Sequence, residues 1–223
     1  MSKRCTIPDN NGRTRILLNS FFNRSKNHHM KVLRTAALFV FLFISLTPQA
    51  QHISMMEGNL APLKSETTVV IQFAYDNMRV GKYEKEDDFI SAKKEEYNRK
   101  ESGRGDNWAK NWVGDRKYRY EPKFIELFEK HSGLTNSDKA KYTLILKTVF
   151  TEPGFNIGIA KKNAEINAEA WIVETANPSN VIAKISIHNA PGRTYTSNDY
   201  DTGERISESY AVAGKGLGKF MKK

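Results

Sequence analysis

The residues best suited to chemistry or recognition lie between Trp108 and Tyr120, where Trp108, Trp112, Tyr118 and Tyr120 interleave with Lys110, Arg116, Lys117 and Arg119. Flat aromatic faces beside cations suit stacking on sugars or bases, or a protein interface. We therefore take Trp108, Trp112, Arg116, Tyr118 and Arg119 as the candidate binding residues. Aromatics at helical spacing also build cores, so the same residues have a purely structural alternative.

Other combinations are weaker. Glu165 and Glu169 share one face of an alternating segment with Asn167 between them, and two acids at a set distance are what glycoside hydrolysis requires. Alternating charge on a wet strand face explains them without catalysis, and that reading is preferred. Gly214, Gly216 and Gly218 alternate, but they fall inside or near the end of a helical pattern rather than after a strand, which points to close helix-to-sheet packing or a frayed C-terminus instead of a phosphate loop. Around Gly203, a calcium-loop register places Tyr200 and Ser209 at ligand positions, so Asp201 is better read as a helix cap. Past residue 50 the histidines are His52, His131 and His188, far apart, and there is no cysteine; neither a metal nor a cofactor is expected. His131 reads as a packed histidine near a helix C-terminus, where positive charge is favoured. No GxSxG elbow occurs, and Arg104-Gly105-Asp106 spells an adhesion tripeptide by coincidence in a charged loop.

The elements that must position these residues follow from periodicity. Val69, Ile71, Phe73 and Tyr75 alternate as a first strand, Glu84 to Lys100 is a solvated helix, and Trp108 and Trp112 sit one turn apart on a second. Tyr120, Phe124, Leu127, Phe128 and His131 stripe a third helix that stops at Ser132-Gly133. Strands from Tyr142 to Phe150, Ala164 to Val173 and Val181 to Ile187 follow, and a last helix starts near Asp201 with Glu204 three residues on. The expected fold is α+β: a mainly antiparallel four-stranded sheet with helices packed on one face, in the order strand, helices, three strands, helix. The first strand could join its neighbour in parallel through the helical crossover.

Composition bounds the setting. Lys31 and Arg34, the apolar run Ala36 to Leu46 and Pro48-Gln49-Ala50 form the three parts of a secretory signal, with cleavage expected after Ala50. The reading is 1–29 as an upstream extension from a mis-assigned start, 30–50 as signal peptide, 51–64 as flexible N-terminus and 65–223 as one domain. Residues 1–50 hold eight of the 35 Lys and Arg and one of the 25 acids, so beyond residue 50 the charge is 27 basic against 24 acidic, not the formal +10 of the whole chain. That removes the uniform basic footprint of nucleic-acid binding. The single cysteine, Cys5, precedes the signal, so neither a disulfide nor a lipidated cysteine is expected in the exported part. Periplasmic or outer-membrane-associated location follows, with at most peripheral membrane contact.

The run Glu152-Pro-Gly-Phe-Asn-Ile-Gly, the strand pair around Trp171 and Ile185, and Asp201-Thr-Gly-Glu-Arg-Ile with Tyr210-Ala-Val-Ala-Gly-Lys resemble small exported, signal-peptide-bearing proteins of Bacteroidota type. The resemblance covers roughly 65–223 and implies an envelope location without an activity. The function expected is binding of an envelope protein or a surface glycan, and the alternative is an envelope glycan hydrolase using Glu165 and Glu169.

Overall fold

The computed structural model of the protein describes residues 51–193 and 201–222. The expected signal peptide, its cleavage point and the upstream extension lie outside the described residues, as does part of the polar loop between Gly192 and Gly203.

Among the described residues, nine strands and four α-helices follow in the order β1 (His52–Gly58), β2 (Thr68–Ala74), β3 (Arg79–Val80), α1 (Glu86–Lys100), α2 (Arg104–Asp115), α3 (Glu121–Ser132), β4 (Thr135–Asn136), β5 (Tyr142–Glu152), β6 (Phe155–Asn156), β7 (Lys161–Lys162), β8 (Ala164–Glu174), β9 (Asn177–Gly192) and α4 (Thr202–Met221). A five-residue π-turn, Arg116–Tyr120, joins α2 to α3.

The expected four-stranded, mainly antiparallel sheet and the expected order of strand, helices, three strands and helix are corrected. The main sheet has seven strands in the order β1-β9-β8-β5-β2-β4, with β3 also beside β5, and β6 and β7 form a separate pair. It is mixed: the pairs β1–β9, β9–β8 and β8–β5 are antiparallel, whereas β2 lies parallel to β5 and to β4, and β3 lies parallel to β5. Three strands of the main sheet escaped the sequence for physical reasons. β3 and β4 are two residues long, too short to show a period of two. β1 falls in the stretch expected to be flexible; it is an edge strand with no fully buried position, so it carries no apolar alternation. The helical crossover places β2 parallel to β5, pairing Ile71 with Leu144 and Phe73 with Leu146.

The core lies on one face of the sheet. Along β8 the alternate residues Ala164, Ile166, Ala168, Ala170 and Ile172 are buried, and Glu165, Asn167, Glu169 and Trp171 on the other face are half-buried. Ile206, Tyr210, Ala213 and Leu217 of α4 join the buried face, and small alanines on β8 let that helix come close.

The alternating glycines serve α4, but against α3 more than the sheet. A Cβ on Gly214 would overlap the Phe124 carbonyl oxygen, and one on Gly218 would lie 2.8 Å from the Phe128 carbonyl oxygen. Gly214 and Gly218 are one turn apart, as are Phe124 and Phe128, whose fully buried rings stack 5.8 Å apart. Thus glycine at every fourth position lets two helices touch backbone to backbone. Gly216 instead faces the movable ends of the Gln51 and Ile53 side chains.

Two opposing magnitudes give a prediction. Glycine in a helix interior costs roughly 1 kcal/mol relative to alanine, whereas overfilling a packed contact costs about 1–3 kcal/mol. Gly214→Ala should lower thermal stability, because rigid backbone opposes the new methyl; Gly216→Ala should leave it equal or higher. Parallel melts followed by circular dichroism check the contrast, and equal destabilisation by both would contradict the helix-contact role.

Candidate functional site

The site is built around Glu86 in the first turn of α1, where a carboxylate suits the positive end of the helix. One of its oxygens accepts the Trp112 indole N–H at 2.6 Å, and the other accepts the Arg116 guanidinium in a half-buried ion pair. Arg116 also lies over the Tyr75 ring, 4.2 Å from its centre. Tyr75 donates to Glu121 at 3.3 Å, and the Tyr210 hydroxyl is 2.7 Å from Thr148 in the core. Burial raises the phenols of Tyr75, Tyr120 and Tyr210 above the ordinary tyrosine value, so they stay neutral.

The π-turn distributes the residues that follow α2. Arg116 turns to Glu86, while Tyr120 is buried and stacks on Tyr210 with centroids 5.2 Å apart. Arg119 reaches Asp115 at 3.1 Å and Asp201 at 2.7 Å, and Tyr118 is left 78% exposed. A π-turn adds one residue to a helical turn, which a 3.6-residue reading of the sequence does not anticipate.

Trp108 and Trp112 are brought together as expected, stacked at 5.6 Å. Trp112 is only 6% exposed. Trp108 is partly buried, with Phe89 and Tyr97 against it at 5.7 and 5.6 Å. They form one wall of a cleft of about 600 Å³, together with Tyr83, Phe89 and Tyr97. The facing wall is the end of β5 and the hairpin root, Glu152 to Ile157, with Lys162 beside it. A second hollow of about 470 Å³ shares Tyr97, Trp108, Trp112 and Thr202 and extends past Asn111 to Asp115 and Arg119. The five expected residues therefore divide. The tryptophans line the cleft, Arg116 braces it through Glu86, Arg119 borders the second hollow, and Tyr118 lines a shallow groove elsewhere.

Sequence reasoning missed the facing wall because Glu152-Pro153-Gly154 reads as a break, which says nothing of what it faces. It is well anchored. Glu152 accepts from Gly154 N–H at 3.1 Å and Lys162 at 2.6 Å, and the buried Arg205 of α4 donates to the carbonyl oxygens of Pro153 and Gly154. Tyr83 and Phe89 could have been found, since Phe89 sits on the helical stripe of α1.

The remaining candidates have structural partners. Gly105 lies where a Cβ would overlap the Lys94 carbonyl, and Asp106 binds Lys94 at 2.7 Å, so the Arg-Gly-Asp stretch joins α2 to α1. Burial first, then Lys219 and Lys215, hold His131 below the usual imidazole value, the reverse of the favoured positive charge expected there. Among the described residues no group of three His, Cys, Asp or Glu is placed to hold a metal ion. Glu169 accepts the Trp171 indole N–H at 2.8 Å on the open sheet face, where Lys147 and Lys184 approach the Trp171 ring at 3.3 and 4.6 Å. Glu165 pairs in register with Glu152, and burial together with that neighbour raises its carboxyl above the ordinary value.

No family model matches the chain and no curated protein matches it. Among solved structures, two PelC dodecamers from Paraburkholderia phytofirmans, one of them a point-substituted form, are similar at 8% and 6% identity; each comparison covers 73% of this chain and 96% of that chain at a TM-score of 0.33. A likeness of that size carries no argument about this protein.

At the far side of the second hollow, Asp201 caps α4, accepting from Gly203 and Glu204 N–H at 2.8 and 3.3 Å. Burial alone would raise its carboxyl, but the Arg119 hydrogen bond and charge outweigh it and hold it below the usual range. An acid with a lowered folded pKa stabilises above its unfolded value, near about 3.9, and the benefit fades as pH falls through the folded one. Asp201→Ala should therefore cost about 0.5–2 kcal/mol at neutral pH, with the gap to the wild type closing below about pH 4. Denaturant melts across that range check it; a gap independent of pH would leave the cap without its charge component.

Proposed function

We propose that the protein is an envelope-associated binding domain that holds a segment of glycan in the cleft between α1–α2 and the β6–β7 root. One observation carries this reading: the wall formed by Tyr83, Phe89, Tyr97, Trp108 and Trp112 faces Glu152, Asn156 and Lys162 across an open cleft. Sugars have apolar faces ringed by hydroxyls, so they match an aromatic wall facing polar groups. A volume of about 600 Å³ is in the range of small-ligand sites. Export to the periplasm or outer membrane, and kinship with small exported Bacteroidota-type proteins, belong to the same proposal and rest on the sequence patterns around residues 30–50 and 152–215.

The hydrolase alternative is the less supported reading. Glu165 and Glu169 are four residues apart on one extended strand, which places their Cα atoms roughly 13 Å apart at about 3.3 Å per residue. Carboxyl pairs in glycosidases stand about 5–9.5 Å apart. Glu169 is engaged by Trp171 on the open face, and the cleft's own acid, Glu152, is engaged by Lys162 and Gly154.

Calorimetric titration with soluble peptidoglycan and polysaccharide fragments should yield a binding fragment. Trp108→Ala should weaken it about tenfold or more, the scale of a central aromatic contact. Trp112→Ala should instead cost about 3–5 kcal/mol of stability, because that ring is core. Unchanged affinity in a folded Trp108→Ala protein would refute the cleft assignment.

A further inference from the structure

We propose that the tip of the β6–β7 hairpin inserts into an anionic lipid surface. The proposal goes beyond the glycan reading: Phe155 and Ile157 also border the cleft, but Ile159, the most exposed residue of the tip, does not.

Of the eight large apolar residues exposed in the described chain, three fall within five positions: Phe155 at 43%, Ile157 at 64% and Ile159 at 98% exposed. Single exposed apolar residues are ordinary, but three on one short projection are not. The hairpin is a two-stranded sheet separate from the main one, pairing Phe155 with Lys162 and Asn156 with Lys161. Its turn is ordered by the Ile157 N–H to the Ala160 carbonyl oxygen at 3.0 Å and the Gly158 N–H to Asn156 Oδ1 at 3.0 Å. Gly158 takes a φ of 81°, so the turn needs glycine. Glu152 with Lys162, and Arg205 with Pro153 and Gly154, fix the root. The result is a held projection with an apolar end.

Charge favours a lipid occupant. Lys161 flanks the apolar tip, Lys162 stands behind it at the root in its ion pair with Glu152, and no acid occurs between Pro153 and Asn163. Apolar side chains that enter the acyl boundary, with lysines left at the depth of the headgroup phosphates, are the arrangement of interfacial membrane segments. A tip whose outermost side chain is almost wholly exposed needs no shaped pocket in a bilayer. Among the described residues no helix is long and apolar enough to cross a membrane, so this contact is peripheral.

The test uses the full chain carrying Cys5→Ser and Ala160→Cys, labelled at residue 160 with a nitrobenzoxadiazole fluorophore, and vesicles of phosphatidylethanolamine and phosphatidylglycerol. Ala160 is exposed and its replacement retains all three apolar side chains. The expected result is a blue-shifted emission quenched by nitroxides on the lipid tails, while a label placed at exposed Asp138 through Asp138→Cys shows neither. Adding Ile157→Ser and Ile159→Ser should reduce the residue-160 response about tenfold or more, with an unchanged melt. The proposal is overturned if the residue-160 label stays in water on vesicles that carry the protein. It is equally overturned if the shift occurs without vesicles as protein concentration rises, which would place the tip on a second copy of the chain.

Discussion

The Glu86 carboxylate, held between the Trp112 indole and the Arg116 guanidinium, is the interaction on which the functional part of the molecule depends. It joins the first turn of α1 to α2 and to the π-turn, and Arg116 extends the join to Tyr75 at the end of β2. A half-buried charge pair with one partner removed leaves an uncompensated charge, so the three groups stand or fall together. They hold α1 against α2, so that Phe89 and Tyr97 of α1 meet Trp108 and Trp112, which stack one turn apart on α2.

The rest of the framework explains why so small a cluster can be held open as a cleft wall. On the far side of the π-turn, Tyr120 stacks on Tyr210, and Tyr210 meets Thr148 of β5, so the wall is tied to the central sheet through α4. The glycine contact of α4 with α3 draws the two helices together over the sheet. Arg205 at the start of α4 holds the facing wall. Both sides of the cleft therefore take their position from α4, one from each end of its first half.

Legibility in the sequence followed length and period. Long, strongly patterned elements were readable: β2, β5, β8, the helices and the Asp201 cap all lie where alternation and capping residues place them. β1, β3 and β4 were not, because an edge strand without buried alternation and two-residue strands leave no pattern. At the site, spacing four showed that Trp108 and Trp112 share a face, but not that Glu86, 26 residues earlier, would bind the second of them. Nor could periodicity show that Arg116 turns inward and Tyr118 outward, since the π-turn changes the register between them. Trp171, set among lysines on the open sheet face, was readable as a half-buried strand residue but gave no sign of Lys147 and Lys184 over its ring.

The chain has three tryptophans, two in the cleft and one on the open sheet face, which makes their indole N–H signals direct reporters of where a ligand sits. Following those three signals by nuclear magnetic resonance while a peptidoglycan fragment is added would test the cleft as the binding site. The account predicts movement of the Trp108 and Trp112 signals with Trp171 unchanged. Movement of Trp171 alone would place recognition on the open sheet face and contradict the cleft.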